Sequence, residues 1–232
     1  MRASVAMATY NGMTYLDEQI GSILSQLHET DELVVSDDGS SDGTRDYLAA
    51  LCERDARVRV LDGPRRGVIA NFENAIRACS GDILFLADQD DIWHPDKRDS
   101  VEREMVRTGA VLVMHDATIV DEHANVLHPS FFAWRGTRLG LLKNLWKNSF
   151  IGCCMAFSQT LTDVVLPMPD GIPMHDQWIG LQALRHGKVS LLAQPLLSYR
   201  RHGDNASPDG HGTVATMVRQ RCAMIAALWK RR

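Results

Sequence analysis

The chain has no basic excess. Its 25 lysines and arginines are outnumbered by 29 acidic residues, giving a net charge of −4, and this excludes wholesale nucleic-acid binding, which calls for a basic surplus or stripe. It has no window of about 18 uninterrupted apolar residues, so no segment reads as a bilayer-spanning helix. Its five cysteines, Cys52, Cys79, Cys153, Cys154 and Cys222, form an odd set without the paired spacings of a zinc site, and no apolar leader precedes them. A reducing cytoplasm is the expected compartment. No internal repeat, low-complexity tract or clear linker divides the 232 residues, and 45% apolar with 23% charged residues is ordinary for a soluble globular domain. That length can bury a full core, and a single folded unit is the reading.

What is present is a regular alternation. Ser4–Thr9 is a short apolar run that stops at Tyr10-Asn11-Gly12, the pattern of a buried strand entering a loop. Leu16, Ile20, Ile23, Leu24 and Leu27 then recur at helical spacing. Leu33–Val35 is a second strand, ending in the turn-rich stretch Ser36 to Thr44 before an amphipathic helix through Tyr47, Leu48 and Leu51. Val58–Leu61, a helix over Ala70–Cys79 and the strand Ile83–Ala87 complete a βαβαβαβ series. Such alternation predicts an α/β fold with a mostly parallel central sheet and helices on both faces. The second half is less regular: strands at Val111–Met114, Ile151–Phe157 and Val189–Leu192 and a helix over Trp178–Leu184 are expected there.

In sheets of this kind ligands lie beyond the carboxyl ends of the strands. Three polar clusters fall at those ends, Thr9 to Gly12, Asp37 to Ser40 and Asp88 to Asp91, so they should meet in one cleft. Asp88-Gln89-Asp90-Asp91 puts three carboxylates within four positions, a crowding that is relieved by a cation or by solvent. Mg²⁺ or Mn²⁺ binds through one or two carboxylates plus diphosphate oxygens, and the alternative is a solvated acidic turn capping the next helix. Asp37-Asp38-Gly39-Ser40 can accept bonds from a nucleobase or ribose, or can be an ordinary N-cap turn. Asp176, in His175-Asp176-Gln177-Trp178, reads equally as a general base or as a helix cap. His202 is a candidate late metal ligand, and Arg200 and Arg201 are candidate partners for a diphosphate.

These segments together resemble the inverting family-two glycosyltransferases of GT-A fold, particularly bacterial rhamnosyltransferase-like members. The resemblance rests on Ala8-Thr9-Tyr10-Asn11-Gly12, on Val35 to Thr44, and on Ala87-Asp88-Gln89-Asp90-Asp91-Ile92-Trp93, in the family's order and spacing. It extends through His175-Asp176-Gln177-Trp178 and more thinly to His202 and Asn205. It implies a glycosyltransferase domain over 1–206, with a nucleotide-sugar half at 1–114 and an acceptor and catalytic-base half at 115–206, followed by a basic amphipathic tail at 207–232. Carried over, Thr9, Tyr10, Asn11, Asp38 and Ser40 would hold the nucleoside and Asn71 would assist on the donor side. Asp88 would contact ribose or the metal's shell, Asp90 and His202 would bind Mg²⁺ or Mn²⁺, and Asp176 would be the base. Gly152-Cys153-Cys154-Met155-Ala156 would line the sugar pocket, with Cys153 a packing residue. The implied donor is a dTDP- or UDP-sugar, with rhamnose the lean, and the acceptor a carbohydrate or lipid-linked glycan of cell-surface polysaccharide biosynthesis. The Gln-x-x-Arg-Trp motif of the processive synthases is absent, so a single addition is expected.

Two segments combine tryptophan with cations. Trp134 to Phe150 carries Arg135, Arg138, Lys143 and Lys147 with no acidic residue, and the stretch from Met217 sets Arg219, Arg221, Lys230, Arg231 and Arg232 beside Ile225, Leu228 and Trp229. Such segments lie in a lipid interface or are packing helices with a solvated basic face; the first reading adds peripheral contact with an anionic membrane at its inner face. Two rival functions fit parts of the same pattern. Asp88-x-Asp90 after a strand also suits a haloacid-dehalogenase-type phosphatase, although that family opens its fold with the motif. A non-catalytic nucleotide-sugar or glycan-binding module is the other, and it would have no need of a base at Asp176.

Overall fold

The computed structural model describes residues 1–203 and 214–230. In chain order the elements are β1 (Ala3–Thr9), α1 (Met13–Leu24), β2 (Glu32–Asp37), α2 (Thr44–Arg54), β3 (Val58–Asp62), α3 (Val68–Ala78), β4 (Ile83–Ala87), β5 (Ile92–Trp93) and α4 (Lys97–Thr108). There follow β6 (Leu112–Val120), β7 (Val126–His128), α5 (Phe131–Arg135), α6 (Leu141–Trp146), β8 (Met155–Ser158), α7 (Thr162–Val165), α8 (His175–His186), β9 (Val189–Arg200) and α9 (Val214–Lys230).

One sheet runs in the order β3-β2-β1-β4-β8-β6-β9-β5, with β7 attached to β6. Its first four strands are all parallel. β8 enters antiparallel between β4 and β6, and β6 and β9 are again a parallel pair. Every residue of β1, β2 and β4 is buried, because helices cover both faces of a parallel sheet; these strands therefore read as continuous apolar runs without alternation. Each covering helix turns one stripe inward, as with Leu16, Gln19, Ile20 and Ile23 on α1 and Asn71, Phe72, Ala75 and Ile76 on α3.

The expected series through β4 is present, with ends moved by up to three residues, as where α1 stops at Leu24 and not at Leu27. In the second half the strands are longer than their apolar cores suggest: β6 continues to Val120, crossing the proposed division at 114, and β9 continues through Pro195 to Arg200 with register shifts opposite His115 and Asp116. The strand expected over Ile151–Phe157 is instead a 3-10 turn, Gly152–Cys154, followed by β8. α4 was not anticipated. Its sequence is mostly charged, with Val101 and Met105 its buried apolar residues, and it is held by ion pairs such as Arg98 with Asp31 at 3.0 Å. The boundary at 206 and Asn205 lie outside the described residues.

α8 carries the segment with Asp176 and is fixed by its own core. Trp178 is fully buried, and its indole N–H donates to the Val165 carbonyl at 2.9 Å. Trp178→Ala should cost about 3–5 kcal/mol, read as a lower urea midpoint with an unchanged m-value; a loss under about 1 kcal/mol would mean that α8 is held by other contacts.

Candidate active site

β1, β2 and β4 end side by side, so their loops open on the same edge of the sheet. Thr9 is in register with Asp37, and Met7 with Ala87. The loops are tied together by hydrogen bonds: the Asp38 N–H donates to the Thr9 carbonyl at 2.9 Å, while the Gln89 carboxamide oxygen accepts from Thr9 Oγ1 at 2.7 Å and from the Tyr10 N–H at 2.8 Å. Gln89 approaches so closely that a Cβ on Gly12 would meet its Oε1 at 2.5 Å, which is why glycine stands there. A cleft of about 640 Å³ opens over these ends. Thr9, Tyr10, Asp38, Asp88, Asp90 and Asp176 all line it, so residues far apart in sequence meet as the strand-end rule requires.

Other expected residues stand behind the wall. Asn11 and Ser40 brace the β1 and β2 loops: the Asn11 N–H donates to Ser40 Oγ at 2.8 Å, Ser40 Oγ donates to Asp37, and Asn11 Oδ1 accepts the Ser41 N–H at 2.9 Å. Asn71 is buried and donates to the Thr9 carbonyl at 3.1 Å. His202 Nε2 lies 2.7 Å from Asp90 Oδ2, and its ring packs on Tyr15. The suggestion that Arg200 neutralises a diphosphate is corrected: Arg200 is 4% exposed, reaches Glu18 at 2.6 Å, and donates to the Asp90 carbonyl at 2.9 Å and to Glu122 O at 3.0 Å. Arg201 lies over the Trp134 ring at 5.9 Å. Among the described residues, the arginine that lines the cleft is Arg65, from the turn after β3. Both carboxylate oxygens of Asp38 hold that turn, accepting from the Arg65 N–H at 2.6 Å and the Gly67 N–H at 2.9 Å.

Gly152, Met174, His175 and Tyr199 complete the wall around Asp176. Cys153 behind it is fully buried, and burial holds its thiol well above the usual range, so it packs and does not act as a nucleophile. His175 stacks on Phe72 at 4.0 Å and burial lowers its pKa to about 3, leaving a neutral ring.

The acidic groups dominate the electrostatics. Asp88 is pushed up to about 7 by burial, then by the charges of Asp90 and Asp176. Asp176 also rises to about 7 through burial, opposed by bonds from the Gln177 N–H and from Asn148 Nδ2 at 3.1 Å. Burial, then the charges of Asp90 and Asp88, drive Asp91 well above its ordinary value. A group of like charges in this state favours a cation. Asp88 and Asp90 line the cleft and the His202 imidazole meets Asp90 from behind the wall, so these two carboxylates and one nitrogen could serve as donors to Mn²⁺ or Mg²⁺. The donor atoms of Asp88, Asp91 and Cys153 also lie within 4.8 Å of one another, but a protonated buried thiol is a poor ligand for these hard ions.

Residues 4–166 match the family model described as glycosyl transferase family 2. The chain is 27% identical over 216 residues to an uncharacterised glycosyltransferase of Nostoc sp., an alignment covering 88% of this chain and 66% of that protein. It is 26% identical over 193 residues to the Escherichia coli protein named UDP-Glc:alpha-D-GlcNAc-diphosphoundecaprenol beta-1,3-glucosyltransferase, covering 82% of this chain and 72% of the relative. Among solved structures it resembles S. aureus TarS in complex with UDP-GlcNAc, with a TM-score of 0.79 at 16% identity over 100% of this chain and 67% of that one. It also resembles a Pyrobaculum calidifontis mannosyltransferase in complex with GDP-Man and Mn²⁺, with a TM-score of 0.67 at 20% identity over 99% of this chain and 63% of that one. These likenesses show a GT-A fold, and the phosphatase alternative loses its footing, because the Asp88-x-Asp90 motif follows the fourth strand of that fold. The chain belongs to glycosyl transferase family 2.

Proposed function

We propose that this protein is an inverting glycosyltransferase that moves a single sugar from a nucleotide diphosphate donor to a hydroxyl of a glycan or lipid-linked glycan in cell-envelope polysaccharide biosynthesis. The observation that carries the reading is the meeting, in one cleft, of Asp38, Asp88 and Asp90 from the first half of the chain with Asp176 from the second. A binding module would need the first three and has no use for a carboxylate poised near neutrality opposite them. The E. coli relative, named for a UDP-Glc donor and a diphosphoundecaprenol-linked acceptor, supports the substrate class. UDP or dTDP is the proposed nucleotide, and rhamnose is among the donor sugars to be screened.

In this reading Thr9, Tyr10 and Asp38 hold the nucleoside, with Asp38 accepting from base or ribose while it fixes the Arg65 turn. Asp88, Asp90 and His202 would hold Mg²⁺ or Mn²⁺. Such an ion supplies charge neutralisation for the departing diphosphate, and Arg65 adds a cation on the same wall. Asp176 takes the proton of the acceptor hydroxyl as that oxygen attacks the anomeric carbon from the face opposite the leaving group. One displacement inverts the centre. Asn148 and the Gln177 N–H aim the carboxylate, and its pKa of about 7 makes it a base matched to neutral pH.

The direct test is a transfer assay with a panel of UDP- and dTDP-sugars, following product anomer by NMR. Asp176→Asn should lower turnover by at least about a thousand-fold while UDP binding stays within about two-fold; retained turnover would remove Asp176 from the role, and a product of retained configuration would exclude single displacement. The wild-type rate should fall about ten-fold per pH unit below the Asp176 value of about 7 as the base takes up a proton. A rate independent of pH between 5 and 7 would contradict that assignment.

Crowding also predicts a stability effect. A carboxyl raised in the folded state stabilises the protein fully below its unfolded pKa, and that contribution is lost as pH rises through the folded value. For Asp88 the window runs from its ordinary 3.8 to about 7. In the absence of divalent ions, Asp88→Asn should therefore raise the melting temperature at pH 8 by roughly 2–4 °C, the effect of about 1 kcal/mol in a domain of this size, and leave it nearly unchanged at pH 4. An equal shift at both pH values would show that charge is not the cause.

A further inference from the structure

The two tryptophan-bearing basic segments come together on one surface. α6 exposes Leu142 and Trp146, at 79% and 72% of their accessible area, and α9 exposes Trp229 at 66%. On α9, Val218, Arg221, Ile225 and Trp229 recur every three or four residues and so share one face; Val218 and Ile225 are exposed as well. Arg221 joins the two helices, donating to the Trp146 carbonyl at 2.8 Å and lying 4.2 Å over its indole ring. Beside this junction a groove of about 450 Å³ is lined by Arg135, Arg138, Lys143 and Lys147 together with Leu142 and Trp146. No acidic residue occurs between Glu122 and Asp163, and none occurs in α9. A large exposed apolar patch rimmed by charged residues marks an interaction surface.

We infer that this α6–α9 face docks on an anionic phospholipid surface, with lipid phosphates in the four-cation groove and Trp146, Leu142 and Trp229 in the headgroup layer. The charge of the face is of one sign and complements such a membrane, whereas a second copy of the chain would set cation against cation. Aromatic side chains with one polar edge suit the interface, and lysines with long stems reach phosphates while their methylenes stay in apolar surroundings. The surface lies next to the base: Asn148, two residues after Trp146, donates to Asp176, and Gln177 Nε2 donates to the Asn144 carbonyl of α6 at 2.7 Å. Docking therefore presents the acceptor side of the cleft to the membrane plane, which rests on the proposed transfer to a lipid-linked glycan; the membrane contact itself does not.

The test is co-flotation of the full chain with phosphatidylcholine vesicles, with and without phosphatidylglycerol, alongside calorimetric UDP binding. Wild type should float with the phosphatidylglycerol vesicles at low salt and be released as salt is raised. Reversing two charges, Lys143→Glu with Lys147→Glu, should lower partitioning by more than about ten-fold, and Trp146→Ala by several-fold, with UDP binding unchanged in both. Wild type remaining in the lipid-free fraction at low salt, or floating equally with neutral vesicles, would overturn the inference. So would a wild-type dimer that Trp146→Glu converts to monomer without any vesicle binding, which would give the face to a second copy. Flotation without calorimetric binding of either UDP or dTDP would leave the surface standing and remove the proposed nucleotide-sugar donor.

Discussion

A loop with three carboxylates in four residues holds its place at the end of a buried strand because the rest of the chain secures it. Arg200, at the end of β9, donates its backbone N–H to Asp91 at 3.0 Å and its guanidinium to the Asp90 carbonyl. Lys97 is fully buried, reaches the Cys153 carbonyl at 2.8 Å and lies 4.0 Å over the Trp93 ring, and its charge lowers the cost of Asp88 beside it. Gln19 Nε2 holds the Asp88 carbonyl at 2.7 Å. These contacts fix the backbone without neutralising the carboxylates that face the cleft. What remains is a preorganised negative site, costly alone and favourable around a cation.

The same economy appears on the facing wall. Asp176 sits in the first turn of α8, a helix anchored by a fully buried tryptophan, and its carboxyl is aimed by Asn148 from the segment after α6. The acid cluster follows β4 and the Asp176 carboxyl sits on α8, while β8 pairs with β4 just after the Gly152–Cys154 turn. That turn packs closely against the start of α8, where a Cβ on Gly152 would lie 2.8 Å from His175 Nε2.

The first half of the fold was legible in sequence because parallel strands buried on both faces leave short apolar runs, and Ile83–Ala87 needed no other clue. Strand ends then identified Thr9, Asp38, Asp88 and Asp90 as neighbours. Arg65 lay at a strand end too, after Val58–Asp62, and the same rule applied to that turn finds it. Gln89 was hidden as the variable middle residue of its motif; its importance comes from reaching across to Thr9 and Tyr10, which no spacing reveals. α4 was unreadable because two buried apolar residues make almost no periodic signal and its helix is fixed by ion pairs to distant residues. Asn11, Ser40 and Asn71 bond to the loops and strand ends behind the cleft, contacts that the sequence does not specify, because short polar side chains near such a loop can serve the backbone as readily as a ligand. Arg200 and Arg201 show the same limit, since sequence marks a cation but not which way it points.

In the proposed site, Asp88, Asp90 and the diphosphate of a nucleotide would share one divalent ion, so metal and nucleotide should bind cooperatively. Calorimetric titration of UDP, and separately of dTDP, with and without Mn²⁺, on wild type and on Asp90→Ala, tests it most directly. The account requires Mn²⁺ to tighten binding of one of these nucleotides by at least about ten-fold, a coupling of about 1.4 kcal/mol, and requires the substitution to abolish that gain. Nucleotide affinity indifferent to the metal in wild type, or an undiminished metal effect in Asp90→Ala, would contradict it.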